Sequence, residues 1–117
     1  MSPQQFDGLV RAGLRVDAAI SIWVLQHCFD PAAEVERIRH SLSGRGRVFV
    51  LNMPIRAVPV VRGPDISNSG YSWASDGIDV AGLLRGNFTV SAEGLLDMSR
   101  VPHVGDAGAF WMDLCLR

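Results

Sequence analysis

The chain contains no lysine; its eleven basic residues are all arginine. These arginines are scattered and form no patch, so the pattern reads as a coding bias. With a formal net charge of -1 and an isoelectric point near 6.2, there is no electrostatic case for nucleic acid or an anionic membrane as partner. Cysteine is scarce too. Cys28 and Cys115 are far apart, lack metal-ligand spacing and cannot build a secreted disulfide framework. A reduced, cytoplasmic chain with no metal site is expected. No apolar run reaches the roughly 18 residues that span a bilayer. The opening MSPQQFDGLVRAG lacks the basic and apolar regions of a signal peptide. Internal repeats and low-complexity tracts are absent, as is the G-x-S-x-G elbow of a small hydrolase.

What is present describes one α/β domain over residues 1–117. Apolar residues make up 48% and charged residues 20%, a globular balance. A chain of this size buries a core with less margin than a larger one. Residues 1–15 form an N-terminal arm or short helix, weakened by Gly8. VDAAISIWV (16–24) is apolar on both faces, as in a strand covered on both sides. Asp30-Pro31 starts a helix: the carboxylate caps free amides, and proline at the first helical position loses no bond. Val35, Ile38 and Leu42 make its inward stripe. Gly44 and Gly46 supply a left-handed exit, and RVFVL (47–51) is the next buried strand. Residues 16–52 are therefore a parallel βαβ unit. Residues 53–75, with three prolines and two glycines, read as a long irregular loop. Asp76 begins a second helix, stopped by Gly86. Strands near 88–96 and 109–117 close residues 76–117.

The stretch DAAISIWVLQHCFDPAAEVERIRHSLSGRGRVFVLN resembles the fourth strand, helix and fifth strand of class I S-adenosylmethionine-dependent methyltransferases. Asp17, Leu25, Gln26, His27, Asp30, Pro31, Leu42, Gly46 and Val48 stand at matching positions; SGRG replaces the usual PGG. The family sheet runs 3-2-1-4-5-7-6. The resemblance implies a partial Rossmann-like sheet, strands 4-5-7-6, with two or three helices and an antiparallel last strand. The family's glycine-rich cofactor loop and ribose-binding acid have no counterpart in these residues. The expectation is the C-terminal half of such an enzyme, one wall of a cleft for S-adenosylmethionine.

The resemblance places the cofactor side at Ser21, Ile22, Trp23 and Gln26. Core packing is the competing reading, and the preferred one for Ile22. His27, on the loop beyond the strand, is the candidate catalytic base, against a plain bracing role. Asn52, Arg56 and Trp73 are the substrate-side candidates, weighed against a solvated loop. Tyr71, Trp73 and Asp76 are candidate lid residues, weighed against surface chain. His40 and His103 read as solvent-exposed, and Cys28 as a buried filler.

Two functions follow. The first is a methyltransferase fragment or split subunit acting on a small-molecule acceptor, inactive alone. The second is a non-catalytic interaction or oligomerisation module on the same fold. In either case a second copy or a partner chain is expected to cover the open edge of the first strand.

Overall fold

A computed structural model describes residues 1–61, 71–97 and 108–117. Helix α1 spans Pro3–Arg11. Ser2 and Gln5 form a capping box at its start: the Gln5 amide donates to the Ser2 hydroxyl (3.2 Å) and the Ser2 amide to the Gln5 side chain (2.7 Å). Strand β1 is Val16–Ile22, followed by a single 3-10 turn at Leu25–His27. Helix α2 runs Pro31–Ser41, and the Asp30 carboxylate accepts from the Ala33 amide at 2.9 Å. Strand β2 follows at once, Leu42–Asn52.

Strands β1 and β2 are parallel, in register from Ala18 opposite Arg47 to Ile22 opposite Leu51. Strand β6, Ala109–Cys115, lies antiparallel to β2, and strand β5, Thr89–Leu96, lies antiparallel to β6. The order β1-β2-β6-β5 leaves β1 at one edge. Helix α3, Val80–Asn87, precedes β5. The core is built on one face of this sheet. Val48 and Val50 of β2 and Met112 and Leu114 of β6 meet Val35 of α2, Val80, Ala81 and Leu84 of α3, and Phe88. Among the described residues the architecture is mixed α/β, with three α-helices, this four-stranded sheet and a separate two-stranded one, consistent with a partial Rossmann-like fold.

Among the described residues no element packs over Ile20 and Ile22 on the opposite face. Ile20 is 73% exposed, and Ile22 and Phe49 are also exposed. The Phe49 and Trp111 rings stack with centroids 6.4 Å apart. Gly94 sits opposite Trp111, where a Cβ would lie 2.5 Å from the indole nitrogen, so the ring lies flat only over glycine. β1 was expected to be covered on both sides. It is covered on one, because no described element packs over Ile20 and Ile22.

Several boundaries differ from the sequence reading. β1 stops at Ile22, not residue 24, because Trp23 turns to φ +57°. The α2 exit is not left-handed at glycine: Leu42 is extended (φ -74°, ψ 143°), and neither Gly44 nor Gly46 has positive φ. Gly46 is needed for close approach instead, since a Cβ there would meet Leu42 Cβ at 2.9 Å. The register accounts for it: Val16 pairs with Leu42 and Ala18 with Arg47, two steps on β1 against five on β2.

The expected irregular loop contains a two-stranded antiparallel sheet, β3 (Ile55–Val61) with β4 (Tyr71–Asp79). Pro59 is tolerated there because each strand of a pair has a free edge. The second helix begins three residues after the expected point. Asp79, not Asp76, is its cap, accepting from the Gly82 amide at 2.9 Å, and the helix runs past Gly86.

Helix α1 is tied to α2 by Arg37, whose Nε donates to Asp7 at 2.7 Å. The Arg37 hydrogen bond, foremost, holds the Asp7 carboxyl below its ordinary value of 3.8. A carboxylate depressed in the folded state stabilises above its unfolded pKa and loses that contribution as pH falls through the folded one. Acid unfolding of the native chain is therefore expected to be steeper below pH 3.8 than that of Asp7→Asn, with equal slopes near neutrality. Identical acid limbs would mean that the pair contributes nothing in solution.

Candidate cofactor and acceptor site

Ligands of open α/β sheets sit beyond the carboxyl ends of the parallel strands. Here those ends are Ser21–Trp23 and Leu51–Met53. Trp23 is the one non-glycine residue with positive φ among the described residues. Such a conformation costs an L-residue about 1–2 kcal/mol. It persists because the Trp23 amide still donates to the Leu51 carbonyl at 2.9 Å as the chain leaves the sheet. Trp23 is half-buried.

The turn that follows is anchored from below and from the side. Leu25 is buried in the core. Gln26 is only 3% exposed, and its Oε1 accepts from the Met53 amide at 2.7 Å. Its Nε2 lies 3.0 Å from His27 Nε2. Arg56, 7% exposed, donates from Nε to the Cys28 carbonyl at 2.6 Å. Cys28 Sγ in turn donates to the Val24 carbonyl at 3.4 Å. Burial, and next the nearby Glu34, push the Cys28 thiol above its ordinary 9.0, so it is protonated at neutral pH and a poor nucleophile.

Gln26, His27, Asn52 and Arg56 are thus brought to one corner, with Ser21 on the adjoining strand end. Two buried oxygens in this corner, Ser21 Oγ and Asn52 Oδ1, find no hydrogen-bond partner among the described residues. Each such group costs about 1–3 kcal/mol while unsatisfied. Asn52 is held by its other end, Nδ2 donating to the Met53 carbonyl at 3.0 Å. Ile22 points to the opposite face of the sheet, away from Ser21. Arg56 is directed inward at the turn. Trp73 lies in β4 opposite Pro59; its side chain, like those of the other lid candidates Tyr71 and Asp76, lies outside the described part, as does His103. His40 is exposed.

Three groups of this corner escaped sequence reasoning: the Leu51 carbonyl, the Met53 amide and the Cys28 carbonyl. All are backbone atoms, which no residue type announces. Phe29 is 93% exposed beside the turn.

No family model matches the sequence, and no curated protein matches it. Among solved structures the chain is similar to the PH0226 protein from Pyrococcus horikoshii OT3, with a TM-score of 0.57 at 12% identity. The match covers 86% of this chain and 51% of that protein, so the chain spans about half its length. At this identity the likeness establishes the fold alone: a mixed α/β chain of partial Rossmann-like form. Among the described residues there is no cluster of metal ligands, and no helix is long and apolar enough to cross a membrane.

Proposed function

We propose that this chain forms one wall of the cofactor cleft of an S-adenosylmethionine-dependent methyltransferase, with β1, β2, β6 and β5 standing as family strands 4, 5, 7 and 6. The observation that carries the reading is the pair of buried, unsatisfied oxygens at adjacent strand ends, Ser21 Oγ and Asn52 Oδ1. Core packing does not call for polar atoms there, whereas a polar ligand would relieve both. The VLQH turn, the DP-capped helix and the strand order support the same reading.

The residues present fit one side of such a cofactor. Ser21 would hold it with a hydrogen bond while Gln26 fixes the turn beside it, and Trp23 would bound it with an aromatic face. When bound, the cofactor supplies a methyl group on a positively charged sulfur. The wall's part is orientation and exclusion of water, since methyl transfer gains most from holding the reacting atoms in line. His27 and Asn52 flank the place of a small-molecule acceptor. The glycine-rich loop and the ribose-holding acid would come from a second wall, docked along the free edge of β1. That reading makes residues 1–117 a single structural domain, whose activity depends on what completes it.

The competing reading, a non-catalytic interaction module, is favoured by one observation. β1 carries neither lysine nor proline to guard its edge, and Ile20, Ile22 and Phe49 are exposed beside it. S-adenosylhomocysteine titrated into the 15N-labelled chain separates the two. Amide shifts at residues 21–27 and 52–56 support the cleft, and silence there supports the module.

A further inference from the structure

Gln26 is held at both ends of its carboxamide, and its constraint reaches His27. A carboxamide has two distinguishable ends, one that only accepts and one that only donates. Which end faces which neighbour is fixed here by a backbone group: the Met53 N–H can only donate, so the end 2.7 Å from it is the oxygen. The NH2 end therefore faces His27 Nε2, at 3.0 Å. An imidazole nitrogen that receives a hydrogen bond carries no proton, so the proton of the neutral ring resides on Nδ1.

We infer that Gln26 is a positioning residue that fixes His27 in its Nδ1–H tautomer, through the relay Met53 N–H to Gln26 to His27. The relay crosses from the turn after β1 to the end of β2, so the two strand ends and the ring are oriented as one unit. Nε2 is then spent on Gln26 and does not serve as a base while the relay holds. The ring acts through a proton on Nδ1, as a donor, which revises the general-base role considered from the sequence. That the ring faces an acceptor in a cleft rests on the proposed function; the tautomer does not.

The experiment is long-range 1H–15N correlation of the imidazole nitrogens, recorded where the ring is neutral, with His27 assigned by loss of its signals in His27→Asn. The native chain is expected to show a pyridine-like Nε2 and a pyrrole-like Nδ1. In Gln26→Glu one carboxylate oxygen still accepts from Met53, but the other cannot donate, so the two nitrogens are expected to exchange positions in the spectrum. Gln26→Leu removes both links and is expected to raise the share of the Nε2–H tautomer. A native ring protonated mainly on Nε2, or an unchanged ring in folded Gln26→Glu, overturns the inference. Cofactor binding is scored separately with S-adenosylhomocysteine. A wrong tautomer with intact binding sinks the relay alone, and the expected tautomer without binding sinks only the cleft.

Discussion

Phe88→Ala is expected to lower the free energy of unfolding by about 3–5 kcal/mol, the largest loss of any single substitution considered. Phe88 is 1% exposed and belongs to the core cluster with Leu84, Met112 and Leu114. It also closes α3, its amide donating to the Leu84 carbonyl at 3.0 Å. Removing the ring leaves a cavity at the junction of α3 and the sheet. Domains of this kind are stable by only about 5–15 kcal/mol in total, so the loss is a large share of what holds the fold together. Urea unfolding followed by circular dichroism reads the effect. An unchanged midpoint would mean that α3 is not packed on the sheet as described.

Arg56→Met is expected to cost about 1–3 kcal/mol and to act mostly on the turn rather than the core. Methionine keeps the apolar stem but not the donor, so the Cys28 carbonyl loses the bond that holds it at 2.6 Å. The turn at Leu25–His27 carries Gln26 and His27, so its loosening should appear first as faster hydrogen exchange at the His27 and Cys28 amides, whose acceptors are Val24 and Leu25. A guanidinium serving chiefly to meet a ligand would leave these exchange rates unchanged on replacement. Lysine should not rescue them, because a point charge on a flexible stem does not reproduce the fixed geometry of the guanidinium.

The parts that a sequence displays best are those governed by side-chain type at short range. Asp30-Pro31 and the Val35–Ile38–Leu42 stripe announce α2, and the runs at 16–24 and 47–51 announce a parallel pair. The parts that misled are governed by competition. Asp76 and Asp79 are both credible caps, and the choice falls to Asp79 because β4 continues through Gly77. Gly44 and Gly46 look like a left-handed exit, but β2 starts at Leu42 and uses Gly46 for close contact. The apolar residues of β1 promised cover on both faces; composition reports what a strand can bury, not what is present to bury it. At the site, the strand-end positions of Ser21, Gln26 and Asn52 were readable. The bonds that join them were not, because they run through the Met53 amide and the Leu51 and Cys28 carbonyls.

The central claim is that the carboxyl ends of β1 and β2 are one wall of a cleft for S-adenosylmethionine. The direct measurement is the amide spectrum of the native chain during titration with S-adenosylhomocysteine. Half a cleft should bind in the millimolar range, a free energy of about -4 kcal/mol, with shifts concentrated at Ser21–His27 and Asn52–Arg56. No shift there at millimolar ligand, or shifts confined to the α1–α2 side, would contradict the claim. Micromolar affinity from this chain alone would contradict the view that the second wall lies elsewhere.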